Sequence, residues 1–201
     1  SEFFNNSLRS ITPDISLAKV SKVLIKKNRI YNDSQNGIFF SGYEKDEGSM
    51  DDLSVVNNVI ENIGRNITAS AGIKFFGGKY KNTFAIGNTI RNNTGWSYCQ
   101  QMTDGISAHG IFISNASGIQ LIKNIILNNT VDAIHVYPRQ IEANYNKFLN
   151  NLVGYSSTGI GLSSPEGVAD YDPKVFNTRH DNTVIKNNVF LGNSIGIQLN
   201  P

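Results

Sequence analysis

The chain has 201 residues, with 18 basic against 16 acidic side chains, a net charge of +2, and 39% apolar residues. That balance gives no electrostatic footprint for nucleic acid or an acidic membrane surface, and no apolar run reaches the roughly 20 residues that span a bilayer. One cysteine, Cys99, excludes an internal disulfide, and 27 asparagines are the one marked compositional excess.

Taken in chain order, the asparagines fall into a repeated unit. Ser1–Asn6 (SEFFNN) matches the second half of that unit, which first appears whole at Ile25–Asn32 (IKKNRIYN) as apolar, two residues, Asn, one residue, apolar. It returns at Val55–Asn62, Ala85–Asn92, Leu121–Asn128, Ala143–Asn150 and Ile185–Gly192. The fourth position is Asn28, Asn58, Asn88, Asn124, Asn146 and Asn188, at spacings of 30, 30, 36, 22 and 42 residues. After each unit comes a short alternating segment that reads as a strand: Gly37–Gly42, Gly72–Gly78, Gly110–Ser114, Ala133–Tyr137, Gly159–Ser163 and Gly196–Asn200. No segment carries a 3.6-residue period. Unequal spacings exclude a helical-hairpin array and suit a solenoid with a short obligatory coil and loops of variable size.

Alternation assigns the faces. Ile38/Phe40, Ile73/Phe75, Ile111/Ile113, Ile134/Val136, Ile160/Leu162 and Ile197/Leu199 point inward and stack on their counterparts one coil away, at about 4.8 Å. Asparagine suits the turns because it tolerates left-handed backbone, and amides stacked in register can also bond to one another as a ladder.

The N-x-I-x-x-N and G-I-x-apolar units resemble those of the right-handed parallel β-helix proteins, the pectate-lyase-like superfamily, over essentially the whole chain. The resemblance implies an all-β fold, a single-stranded right-handed parallel β-helix of about six to seven coils. Members of that superfamily include polysaccharide lyases, uronate epimerases, hydrolases, tailspikes and non-enzymatic surface proteins. No family catalytic motif transfers, and the DPH signature of alginate epimerases is absent. The chain starts within a coil and stops after a Gly-Ile strand with no amphipathic cap at either end. Residues 1–201 therefore read as one β-helix domain, a piece of a longer chain whose coils continue beyond one or both ends.

Outward positions on the Gly-Ile strands form three rows: Phe39, Lys74, Phe112, His135, Gly161, Gln198; then Ser41, Phe76, Ser114, Tyr137, Ser163, Asn200; then Asn36, Ala71, His109, Asp132, Thr158, Ile195. The middle coils thus collect Lys74, Asp132, His135 and Tyr137, with Arg139 close behind, and these five are the candidate catalytic residues. Lys74 or Arg139 supplies the cation that uronate elimination needs, and His135, Tyr137, a lysine or an arginine the base. Hydrolysis would need paired carboxyl groups, for which Asp132 and Asp104 are the nearest candidates. Phe39, Phe76, Trp96, Asp104, His109 and Phe112 are the candidate substrate-binding residues, although His109 taken alone reads more readily as a structural or loop-capping side chain. Aromatic and polar ladders also stabilise neighbouring strands without any ligand.

Of three insertions, Tyr43–Asp52 and Ser163–Asp181 leave the same end of the Gly-Ile strands and are placed to wall a groove beside Tyr137 and Arg139, whereas Gly95–Ala108 enters from the opposite side and brings Trp96, Tyr98 and Asp104 near His109. The last insertion adds Asp170, Asp172, Arg179 and His180 as further candidates. Glu44, Asp46, Glu47, Asp51 and Asp52 offer calcium-type oxygen ligands, but their spacing matches no calcium loop and a solvated acidic loop is the stronger interpretation. No Cys/His spacing supports zinc, so no cofactor is expected, with calcium the one candidate left open.

The function these features favour is part of an extracellular or cell-surface polysaccharide-degrading enzyme, with a lyase slightly ahead of a glycoside hydrolase. The alternative is a non-catalytic glycan-binding or adhesin solenoid, or an oligomeric fibre shaft. Expected partners are a polysaccharide or complex glycan, a second copy of the chain, or the remainder of the same polypeptide.

Overall fold

The structure is a computed structural model and describes residues 1–8, 15–18, 20–32, 35–42, 49–64, 70–93, 108–138, 143–163 and 180–199. Among these, every strand pairing is parallel and no helix occurs. The chain winds through three sheet faces in turn. The first face holds β3 (Ile15–Ala18), β6 (Asn36–Ser41), the opening half of β10 (Ser70–Ile86), the opening half of β12 (Ala108–Ile122), β14 (Asp132–Tyr137), β17 (Thr158–Leu162) and β20 (Ile195–Leu199). The second holds β1 (Glu2–Phe4), β4 (Val23–Lys26), β8 (Leu53–Val56), the closing halves of β10 and β12, β15 (Lys147–Leu149) and β18 (Val184–Lys186). Because β10 and β12 run around the corner, these two faces join into one 13-stranded sheet. The third is a separate seven-stranded sheet: β2 (Ser7–Leu8), β5 (Arg29–Tyr31), β9 (Val59–Glu61), β11 (Thr89–Arg91), β13 (Ile125–Leu127), β16 (Leu152–Gly154) and β19 (Val189–Leu191). A short β7 (Ser49–Asp51) pairs with the middle of β10.

The inner cylinder is filled as the alternation requires. Ile38, Ile73, Ile111, Ile134 and Ile160 are fully buried, and Phe40 lies flat on Phe75 with ring centroids 5.2 Å apart and planes 9° apart. Tyr80 meets Phe75 edge-on at 5.6 Å and donates its hydroxyl to the Phe76 carbonyl at 3.2 Å.

At the corner between the second and third faces the asparagines divide the labour. The left-handed residue is the one before the repeat asparagine: Lys27, Asn57, Gly87, Lys123, Asn150 and Asn187 all have φ between 54° and 65°. That turn aims the following amide along the axis, where it links coils. Asn28 donates to Asn58, Asn58 to Asn88, Asn88 to Asn124, Asn124 to Asn151 and Asn151 to Asn188, at 2.9–3.0 Å.

The fifth rung is thus Asn151, not Asn146. Phe148 pairs with Leu121 and Ile185, so the unit is Phe148–Val153, five residues later than the match at Ala143–Asn150. Both stretches satisfy the same pattern. Only the later one seats Phe148 and Val153 in the second and third apolar stacks, and both are fully buried there. Asn146 instead caps its own turn, donating to the Ala143 carbonyl at 2.9 Å.

Candidate functional site

The first face carries the polar groups. Register places Phe39, Lys74, Phe112 and His135 on consecutive coils, followed by Gly161 and Gln198. The Lys74 ammonium lies 5.7, 5.8 and 5.2 Å from the ring centres of Phe39, Phe76 and Phe112, within cation–π range. Burial among these rings lowers its pKa. Phe112 does point outward, but it is only 9% exposed: His109 stacks on it with centroids 5.0 Å apart, and His135 packs against both rings, 5.3 Å from Phe112 and 4.6 Å from His109. A sugar can therefore reach Phe39 and Phe76 more readily than Phe112.

Asp132 is the centre of the site. It precedes Ala133, the corner residue of its coil, and the corner turns its carboxylate outward against the face of the sheet. The residue is 5% exposed and its Oδ2 hydrogen-bonds to Nδ1 of His135. Burial alone would raise the carboxyl pKa; hydrogen bonds from His135 and Thr158 and the charges of both imidazoles outweigh it, and the net shift is downward. The other nitrogen of His135, Nε2, lies 3.0 Å from Ser163 Oγ. His180 then donates from Nε2 to the Ser163 carbonyl at 3.1 Å.

His109, on the neighbouring coil, is 3% exposed, and its Nδ1 has no hydrogen-bond partner although it sits 3.6 Å from Asp132 Oδ2. Burial, with some repulsion from His135, pushes its pKa down to about 3, so the ring is neutral at ordinary pH.

Of the expected site residues, Asp132, His135 and His109 meet directly, and Tyr137 follows with its ring 6.0 Å from that of His135. Lys74 shares the face but stands two coils from His135, with Phe112 between them. At about 4.8 Å per coil the two side chains stand roughly 10 Å apart along the axis. Arg139, Trp96 and Asp104 lie outside the described residues, as do Glu44, Asp46, Glu47, Asp170, Asp172 and Arg179. The pairing of Asp132 with Asp104 that hydrolysis would use therefore has no described geometry. Ser163, Thr158 and Gly161 were visible in the outward rows but carried no distinguishing chemistry until register put them around Asp132 and His135.

A parallel β-helix with a row of aromatic and polar side chains crossing the coils of one face is the class that fold and face define. The family described as right handed beta helix region matches residues 1–167, and the chain belongs to it. Among solved structures, the periplasmic alginate epimerase AlgG is similar with a TM-score of 0.57 at 15% identity, over 98% of this chain and 44% of that one. A double mutant of AlgG gives 0.56 at 14% identity over the same shares. The A-module of an Azotobacter vinelandii mannuronan C-5 epimerase gives 0.45 at 14%, over 98% and 56%. This chain thus spans less than half the length of AlgG, and the likeness is one of fold. No curated protein sequence matches.

Proposed function

We propose that the chain is the carbohydrate-active part of an enzyme that works outside the cytoplasm on an acidic polysaccharide and removes the proton next to a sugar carboxylate, with elimination as the outcome. The observation that carries this reading is the Asp132–His135 pair, a buried carboxylate holding an imidazole at the open face of the helix. Asp132 takes the Nδ1 proton in hydrogen bond, which leaves the Nε2 lone pair, now facing Ser163 Oγ, to act as base. Tyr137, the next outward residue of β14, returns a proton to the leaving oxygen. Lys74 on its bed of phenyl rings pairs with the carboxylate of a neighbouring unit, and Arg139 is the remaining candidate for the reacting one. The fold likeness to AlgG, an alginate epimerase, supports an acidic glycan as substrate. Elimination and C-5 epimerisation share their first step, so the product decides between them.

A fibre shaft would use the outward phenylalanines Phe39, Phe76 and Phe112 to meet neighbouring subunits. Phe112 is covered by its own chain, which leaves Phe39 and Phe76 and weakens that alternative.

The test is a panel of polyuronates followed by ultraviolet absorbance for unsaturated uronate ends, and by NMR in heavy water for deuterium entering next to the carboxylate. His135→Ala is expected to lower turnover about 10²–10⁴-fold, the usual worth of a positioned base, and Tyr137→Phe to slow product formation. A polymer left without unsaturation and without deuterium, or unchanged turnover in His135→Ala, would overturn the reading.

A further inference from the structure

The proton-abstraction reading uses His135 and Asp132 and leaves His109 unexplained. A buried neutral imidazole normally finds a partner for each nitrogen. Here Nδ1 has none and points at a carboxylate oxygen 3.6 Å away, too far for a hydrogen bond. That separation has another meaning. Two ligands about 2.1 Å from one tetrahedral ion stand about 3.4 Å apart. His135 hydrogen-bonds to the same oxygen through its own Nδ1, a contact that a cation would replace and open to the ligand separation, and the donor atoms of His109, Asp132 and His135 all lie within 4.8 Å of one another. We infer that these three residues form a binding site for a divalent transition cation, of which zinc is the reference ion.

The surroundings are those a metal site needs. Two imidazole nitrogens and one carboxylate oxygen are the donor set of three-ligand zinc sites, which keep one position open. The open side is supplied by Gly161. A Cβ at that position would lie 3.2 Å from Asp132 Oδ2 and 3.6 Å from His135 Nδ1, so the glycine leaves room beside two of the donors for a water or a substrate oxygen. The ligands are held from behind: Thr158 hydrogen-bonds to the Asp132 carboxylate, and Ser163 Oγ can accept from Nε2 of His135. Such hydrogen bonds to a ligand fix its tautomer and ring orientation. The ring of His109 is fixed by its stack on Phe112.

This inference does not rest on the uronate reading, and the two uses of His135 exclude each other. Coordination takes the Nδ1 lone pair and leaves the proton on Nε2, donated to Ser163. A cation-loaded site then presents no imidazole base on the outward face, and cation occupancy is a brake on proton abstraction at His135.

The experiment is calorimetric titration of zinc chloride into chelator-treated, dialysed protein without substrate, with cobalt substitution to read the ligand field. One equivalent is expected to bind in or below the micromolar range and to raise Tm, and cobalt should give the absorption of a low-coordinate nitrogen–oxygen site. His109→Phe keeps the stack on Phe112 and removes the unpartnered nitrogen. It should melt in chelator at or above the wild-type temperature, yet lose more affinity than the roughly 10–100-fold that removing a hydrogen bond to a ligand costs. Gly161→Ala, which closes the open side, should weaken binding while leaving the cobalt nitrogen ligands in place. Binding of less than one equivalent, or equal affinity in wild type and His109→Phe, would overturn the site. Because the titration contains no glycan, its failure and that of the lyase assay are separately readable.

Discussion

Replacing Asn88 by alanine is expected to cost roughly 3–6 kcal/mol, a large share of the 5–15 kcal/mol that holds a typical domain folded. The side chain is fully buried. Its oxygen accepts from the backbone N–H and the side-chain amide of Asn58, both at 2.9 Å, and its own amide donates to the Val55 carbonyl at 2.9 Å and to Asn124 at 2.9 Å. Truncation strands the Asn58 backbone donor and one Asn58 amide hydrogen in a dry interior, and takes from the Val55 carbonyl the second bond it accepts beside its ladder partner on the next coil. Each stranded group costs about 1–3 kcal/mol. Asn88→Asp should fare no better: it restores the acceptors but sets a buried carboxylate against the Val55 and Asn124 oxygens. Asn92→Gly is the control. Its amide bond with Asn128 is at the surface, and glycine accepts the φ of 56°, so its urea midpoint should move little. An Asn88→Ala protein that melts within a degree or two of wild type would show that the amides follow the coil rather than hold it.

That ladder was legible in the sequence because each rung needs one residue type at one phase, and six apolar pairs kept time with it. The register of the fifth coil was not. Ala143–Asn150 and Phe148–Val153 both satisfy the pattern, five residues apart, and the local sequence holds nothing that favours one over the other. What decides is the neighbouring coils: Leu121 and Ile185 leave a position that Phe148 fills. Pairing across 27 and 37 residues is non-local, so a unit-by-unit comparison cannot see it.

The site divides the same way. Period two put Lys74, His135 and Tyr137 on one outward face, and they are there. The contact of Asp132 with His135 depends on the corner at Ala133, which turns outward a residue that strict alternation would point inward with Ile134. The outward row before each Gly or Ala captured that corner. The sequence did not reveal that Phe112 is covered, since its lid is a histidine from its own strand and another from the next coil. It also concealed the convergence of His109, Asp132 and His135, because zinc-type spacing is a property of single loops and these donors come from two coils.

Acid should destabilise the metal-free protein steeply, and His109 should account for most of the effect above the carboxylate range. Its folded pKa of about 3 lies below the ordinary 6.5. Between those values the unfolded chain takes up a proton that the folded protein refuses. The contribution is whole above pH 6.5 and is lost as pH falls towards 3, at up to about 1.4 kcal/mol per pH unit. Across the window the loss is on the order of 4–5 kcal/mol. The groups facing this ring oppose one another: His135 and Lys74 disfavour its charge, Asp132 favours it, and desolvation exceeds them all. The lowered pKa values of His180 and Asp132 have the same sign for stability, His180 losing its share below the ordinary histidine range and Asp132 below the ordinary carboxylate range. Urea midpoints measured from pH 7.5 to 4 in chelator test this, with the pH values set by the window just given. His109→Phe should flatten the curve between about pH 6.5 and 4, apart from the part owed to His180. A mutant curve as steep as the wild type would mean that the buried imidazole takes its proton without unfolding, and that its pocket is wetter than the packing of Phe112 and His135 around it requires.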